Sequence, residues 1–411
     1  METLNHAYVV GDIMKNRVLF VQLMVLVVFC PLAIDIFLPA IPLMAQDFLV
    51  SVDSMKWSIT LFLLTMGLGQ LVFGPLSDRY GRRPIAIIGI VIYGVCSALS
   101  VIAPSYEVFI ACRLGQGFGA CATSVIAFAC VRDRFNPLQS GIMYSYLNSA
   151  ICCIPALAPL LGSVLTESFG WRSNFEVMAA FAVIAGVFIA YTFPETRPEN
   201  TVQYKKLVTF GRFIPIIKHP VFLFNALVVM LAMTAILIYV TNAPVWLMVH
   251  LKQDQSSFVF WFSLNAVVNI VTCFLAPKVL VHFGVRNTIG LGMLIVITSS
   301  LLLFILLEWH HPAGFMFPVM MSSVGAALLM GSCAGQALSP FGTSAGTASA
   351  LLGFIQLSGA AVLTALIQLL PLNEPTQLAL LMLVFIPIYV LWKLPKCKQV
   401  LYQTSTNNVA V

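Results

Sequence analysis

Charge is scarce in this sequence. Only 9% of its 411 residues are Asp, Glu, Lys or Arg, against roughly 25% in an average soluble domain. That excludes an ordinary water-soluble fold. The short alternating segments of a membrane barrel are missing too, so strands are not the spanning element. No Gly-Lys dipeptide occurs, which removes the Walker phosphate loop and, with it, that route to ATP hydrolysis. There is no HExxH and no CxxC. The six histidines (His6, His219, His250, His282, His310, His311) all fall at or beyond the ends of apolar runs. A membrane enzyme, the competing class, would need a His/Asp/Cys cluster at one depth. Nine of the ten cysteines lie inside apolar runs and the tenth, Cys397, in a basic tail; buried thiols of this kind pack as small hydrophobes.

Apolar residues fill the chain instead, at 60%. They form twelve runs, at about 17–40, 56–73, 85–103, 107–130, 140–164, 175–193, 220–242, 258–277, 289–307, 315–338, 348–370 and 377–392. Lipid offers no partners to backbone N–H and C=O groups, so runs of this length are expected to be helices. The first run is too long for the apolar core of a cleaved signal peptide and is read as a start-transfer helix.

Lys and Arg set the expected orientation. If the N-terminus is cytoplasmic, Lys15, Arg17, Arg79, Arg82, Arg83, Arg132, Arg134 and the bases of 197–218, 278–286 and 393–398 all lie inside. Only Lys56, Arg172 and Lys252 lie outside, and Arg113 lies within a run. This is the positive-inside pattern. It accounts for the formal net charge of +6 without any nucleic-acid partner, and places both termini in the cytoplasm.

The only long polar insertion, 194–219, divides the runs six and six. The expected fold is an all-α integral membrane protein with two six-helix bundles, 1–193 and 220–393. A linker (194–219) joins them and a cytoplasmic tail (394–411) follows. The two halves carry a faint repeat. Aligning Gly81 of GPLSDRYGRRP (74–84) with Gly284 of HFGVRN (282–287) pairs Tyr80 with Phe283 and Arg83 with Arg286, while Asp78 falls opposite Val281. Parallel six-helix repeats are a recurrent transporter plan.

Three blocks carry the informative polar residues. Gly74, Asp78, Arg79, Gly81, Arg82 and Arg83 occupy the hairpin between the second and third runs. Gly74 is expected to end one helix and Pro84 to open the next, with Asp78 meeting a helix N-terminus or an arginine. Arg113-Leu-Gly-Gln-Gly-Phe-Gly119 places a permanent cation in the fourth run, beside a GxxxG that permits close helix approach. APLLGS (158–163) sets Pro159 and Gly162 in the fifth. A fourth oddity is PLAIDIFLPAIP (31–42), in which Asp35 stands inside apolar helix and is followed by Pro39 and Pro42.

The 74–84 spacing and the Arg113 block resemble the major facilitator superfamily. PLAIDIFLPAIP, VRD (131–133), LNSAICCIPALAPLLG (147–162) and GQALSPFGTSAGTASALLGFIQ (335–356) resemble its Bcr/CflA branch of drug:H+ antiporters with 12 spans. The antiporter block is a partial match, since Ala158 precedes Pro159 and Ser163 follows Gly162. The resemblance implies a proton-coupled multidrug exporter working by alternating access on chloramphenicol-class drugs in a bacterial inner membrane. It implies protons and a small amphipathic drug as partners, a lipid bilayer around the chain, a monomer and no cofactor. It also implicates the acid matching Asp35 and the base matching Arg113 in proton and substrate coupling. An uptake symporter or metabolite exporter of the same fold is the alternative.

Depth permits the two charges to meet. Asp35 lies about 8 Å from the expected outer end of its run and Arg113 about 9 Å, at 1.5 Å per residue. Intramembrane charges usually face the bundle interior and pair. Asp35 is therefore expected to take a proton outside and release it inside, with drug moving the other way. Candidates for the drug pocket are Tyr144, Asn148, Tyr239, Asn265 and Gln356, with Asn242 and Asn269 beside them; residues of this kind are more often helix-packing hydrogen bonds than ligand contacts.

Overall fold

A computed structural model describes residues 17–135, 137–198, 211, 213–306, 308–341 and 345–395. Every regular element among the described residues is a helix. Eleven helices are long and apolar enough to cross a membrane. The longest, Gln255–Ile305, is two helices merged across Gly284, whose φ of 73° and ψ of 159° are not helical. Each of the twelve expected runs thus falls on a helix of its own.

Contacts divide the chain into two compact units, Met1–Val208 and Thr209–Val411. The first opens with α1 (Arg17–Asp35) and α2 (Ile41–Asp47), joined by a 3-10 turn at Leu38–Ala40. α3 (Val52–Tyr80), α4 (Arg82–Val101), α5 (Tyr106–Arg134), α6 (Pro137–Phe169) and α7 (Arg172–Thr192) follow. In the second unit, α8 (Ile214–Ile217) precedes α9 (Pro220–Pro244), and a π-helical turn, Val245–His250, prolongs α9. Then come α10 (Gln255–Ile305), α11 (Pro312–Leu338), α12 (Ala345–Phe354), a π-helical turn at Ile355–Gly359, α13 (Ala360–Gln368), α14 (Glu374–Leu383) and α15 (Phe385–Lys393).

Local chemistry explains where the helices start and stop. Side chains at Ser51, Ser105, Asp254, His311 and Asn373 each accept a hydrogen bond from a first-turn N–H, satisfying donors that a helix leaves unpaired. α1 ends at Asp35 because Pro39 stands four residues on: proline lacks an N–H for the Asp35 carbonyl, and its ring crowds that oxygen. The first span was expected to run to about Ala40. It breaks earlier and then continues to Asp47.

Gly74 does not end a helix. α3 passes through Gly74 and Pro75 to Tyr80, and the turn is reduced to Gly81. A Cβ at Gly74 would meet nothing within 4 Å. The stop comes where the chain needs a φ of 104° and a ψ of 158°, a region that only glycine enters readily. Pro84 does fall in the first turn of α4.

Small residues let the helices approach, as lipid-embedded packing requires. A Cβ on Gly89 of α4 would stand 2.9 Å from the carbonyl oxygen of Gly119 on α5, and one on Gly119 would stand 2.6 Å from that of Gly89. Gly292 and Gly325 repeat this crossing in the second unit, at 3.1 and 2.8 Å. Gly292 stands to Gly284 as Gly89 stands to Gly81, so the repeat seen in the loops extends into the packing. Outward faces are apolar: Val183, Ile184, Val187 and Tyr191 of α7 are all exposed.

Candidate functional site

Asp35 closes α1 and is 4% exposed. Its carboxylate has no hydrogen bond or ion pair among the described residues. The backbone opens directly after it, and Gly162 of α6 packs there: a Cβ at Gly162 would fall on the Ile36 carbonyl oxygen. Pro159, one turn earlier in α6, is buried. Gly162 of the antiporter block is thus the residue that lets α6 lie against the break beside Asp35.

Arg113 of α5 is fully buried. Its Nε donates to the Ser58 carbonyl at 3.2 Å and its Nη1 to Gln116 Oε1 at 2.7 Å. Phe37 and Phe62 cover the guanidinium, 4.8 and 4.7 Å from their ring centroids. Cation–π contact of this kind is strongest where water is excluded. Gln116 Nε2 in turn donates to Ser97 Oγ, which donates to the Tyr93 carbonyl.

The contact that depth permits between Asp35 and Arg113 is not made. Similar depth says nothing about which way a side chain turns around its helix. Arg113 is held by a backbone carbonyl, an amide and two aromatic faces, and it reaches the first span through Phe37, two residues past Asp35. The arrangement leaves an uncompensated buried acid beside a broken helix, with the Arg113 guanidinium against Phe37 in the break.

The Gly81 turn forms a second centre. Asp78 Oδ1 meets Arg82 Nη1 at 2.7 Å, so the acid finds an arginine as expected. Arg82 is 2% exposed, and its Nε reaches Asp133 Oδ2 at 2.8 Å. Glu195 closes the turn from the far end of the unit. Its carboxylate accepts the first two N–H groups of α4, Arg82 N at 2.9 Å and Arg83 N at 3.2 Å. It also accepts the N–H groups of Thr196 and Arg197, both at 3.0 Å. Burial pushes the Glu195 carboxyl up, but the N–H groups of Arg82, Arg197, Arg83 and Thr196 outweigh it and hold the group below the usual carboxylate range.

Arg197 Nη1 donates to the Arg79 carbonyl at 2.6 Å, at the end of α3. Residues 194–197 therefore place an anion on the N-terminus of α4 and a cation on the C-terminus of α3, each matching the local helix dipole. Arg79 and Arg83 are exposed; Arg79 lies over the Tyr80 ring and Arg83 Nη2 donates to the Ala190 carbonyl.

Asp133 and Glu195 were not among the expected site residues. Asp133 carried a signal, since it is the acid of VRD. Glu195 was read as part of the linker, although PETR (194–197) sets opposite charges two apart just after a helix.

The profile of the Major Facilitator Superfamily matches residues 23–364. The chain belongs to this superfamily. Among its relatives is the multidrug resistance protein MdtL of Klebsiella pneumoniae (strain 342), 31% identical, with 85% of this chain and 88% of the relative covered. The chloramphenicol resistance protein of Pseudomonas aeruginosa is 31% identical over 83% of this chain and 82% of its own. The crystal structure of the D-xylose-proton symporter superposes with a TM-score of 0.76 at 14% identity, covering 92% of this chain and 97% of the other. That last likeness concerns the fold.

The pocket candidates of this superfamily member divide by unit. Tyr144 is half-buried and its hydroxyl donates to the Phe128 carbonyl at 3.4 Å, while Asn148, one turn on, is exposed. In the second unit Tyr239 stacks on Phe262 at 5.4 Å, and Asn265, one turn beyond Phe262, is 5% exposed with its Oδ1 unpartnered. Gln356 is half-buried within the π-helical turn Ile355–Gly359. Asn242 is a packing residue, donating to Gln377 Oε1 at 3.1 Å, and Asn269 accepts from the Cys273 thiol at 3.5 Å. Among the described residues no group of three or more His, Cys, Asp or Glu side chains could hold a metal ion.

Proposed function

We propose that the chain is a drug:H+ antiporter that exports small amphipathic drugs, chloramphenicol-class compounds among them, by alternating access. It sits in a bacterial inner membrane as a monomer, with both termini in the cytoplasm. Two six-helix bundles, 1–193 and 220–393, are joined by 194–219, and the chain transports rather than catalyses. The names of the two relatives above support the drug as substrate.

The observation that carries the coupling is Asp35: a buried carboxylate, without an ion pair among the described residues, where Pro39 opens the helix. An acid without a fixed counter-ion can gain and lose a proton as its surroundings change. Arg113 is suited to remain charged, because two aromatic faces, a carbonyl and an amide hold it. The Gly81 turn, with Asp78, Arg82, Asp133 and Glu195, is the switch that biases the first unit between conformations. Tyr144, Asn148, Tyr239, Asn265 and Gln356 remain proposed pocket residues. One proton crossing 100 mV supplies about 2.3 kcal/mol, enough for a drug gradient of roughly 50-fold.

The test is drug export from cells, together with proton flux in everted vesicles, for wild type and Asp35→Asn. Asp35→Asn is expected to lose drug-driven proton movement and most of the resistance. Full coupled export by that variant would overturn the reading.

A further inference from the structure

Arg113 has one edge that its partners leave over. Nε and Nη1 are taken, but Nη2 is buried and unpartnered. The Tyr93 hydroxyl of α4 is also buried and unpartnered, in a residue that is 0% exposed. The two groups lie within electrostatic reach of each other, with the Cys30 thiol as the other titratable neighbour of both. Cys30 is in turn within reach of Asp35.

Two further contacts place Tyr93 in this assembly. Its ring stands edge-on to Phe29 of α1, at 4.8 Å and 87°, so Tyr93 touches the first span before Asp35 as Arg113 touches it after. Its backbone carbonyl ends the hydrogen-bonded chain Arg113–Gln116–Ser97. A buried hydroxyl and a buried guanidinium edge each cost free energy when left without a partner. A buried water, which commonly makes two to four hydrogen bonds, satisfies such groups together.

We propose that Tyr93 is a positioning residue for proton coupling: its hydroxyl and Arg113 Nη2 share a bridging water that holds the guanidinium facing the break beside Asp35. The water accepts from Nη2 and exchanges a hydrogen bond with the Tyr93 hydroxyl. Tyr93 itself transfers no proton. The inference rests on the antiport reading above and adds a residue to it.

The experiment uses purified full-length protein with chloramphenicol as the probe, and follows proton release on drug addition across pH. Tyr93→Phe removes the hydroxyl and keeps the ring on Phe29. It is expected to bind chloramphenicol within about twofold of wild type. It is also expected to shift the pH midpoint of drug-dependent proton release by about half a unit or more, the scale of one hydrogen bond. A tyrosine that only packs would leave that midpoint in place, and an unchanged profile overturns the inference. If Tyr93→Phe fails to accumulate, 3-fluorotyrosine at position 93 keeps ring and hydroxyl but makes the hydroxyl a stronger donor; a smaller displacement of the midpoint, opposite in sign to that of hydroxyl loss, is then expected, and an unchanged profile overturns the inference. Asp35→Asn is run in parallel. Loss of proton release there, with a wild-type profile in Tyr93→Phe, sinks the tyrosine role alone. Wild-type release in Asp35→Asn sinks the antiport reading with it.

Discussion

Gly81 and Gly284 make the same turn with different fastenings. Their backbone angles nearly coincide, at φ 104° and ψ 158° for one and φ 73° and ψ 159° for the other. Around Gly81 stand Asp78, Arg82, Asp133 and Glu195. Around Gly284 the counterpart of Asp78 is Val281, exposed, and Arg286 lies over the Trp392 ring at 5.7 Å. Trp392 also fills the space beside Gly290. One half sets buried charge against its turn, and the other sets the Trp392 ring beside its own. The backbone geometry thus survives without an acid at this position, so Asp78 in the first half serves something other than making the turn. Buried ion pairs are costly to break and contribute little net stability, which suits a switch better than a staple.

The comparison breaks most sharply at Asp133. Asp133→Ala takes the Nε partner from the buried Arg82 and leaves it Asp78, and is expected to destabilise by roughly 3 kcal/mol. Val281→Ala in the other half, at the exposed counterpart of Asp78, should cost about 0.5 kcal/mol or less. Thermal unfolding of both variants in detergent checks this, and equal losses would erase the distinction between the halves.

Next in size come the glycines. Gly81→Ala and Gly284→Ala each incur about 1–3 kcal/mol of backbone strain. A Cβ at Gly81 also strikes the Glu195 carboxylate, whereas one at Gly284 meets nothing within 4 Å. Gly81→Ala should therefore be worse by about 1–2 kcal/mol, and a matched pair of melting curves would show it.

Acid should separate the halves in the same direction. Glu195 is held below its ordinary range, so its contribution is complete above the unfolded value of about 4.3. It is lost as pH falls from there through the folded value. The first unit should loosen below about pH 4.3, and Glu195→Gln should flatten that dependence. An unchanged acid limb in Glu195→Gln would remove the capping role. The smallest effect is expected from Val281→Asp, which restores the missing acid on an exposed site; the gain should stay under about 1 kcal/mol, measured again by melting.

Much of this was legible in the sequence because lipid makes the rules strict. Twelve apolar runs became helices, and the Gly81–Gly284 alignment reappeared as matching backbone angles and as the Gly89–Gly119 and Gly292–Gly325 crossings. Asp35 and Arg113 stood out as lone charges and are both buried. That the two do not touch was not legible, because residue counting gives depth along a helix and not the direction around it. Gly74 misled for a related reason: a glycine followed by a proline reads as a stop, yet packing carried α3 through to the residue whose angles forbid a side chain. Asp133 and Glu195 lie 51 and 113 positions from Arg82, and no local pattern encodes partners so distant.

The Glu195 cap has a consequence in isotope exchange. First-turn amides of a helix have no carbonyl partner and ordinarily trade their protons with water freely. In α4 the Arg82 and Arg83 amides are both held by one carboxylate. Their deuterium uptake in heavy water therefore reports how often the cap lets go. A drug that opens the turn should speed the uptake at these two amides, giving the conformational cycle a clock that needs no label.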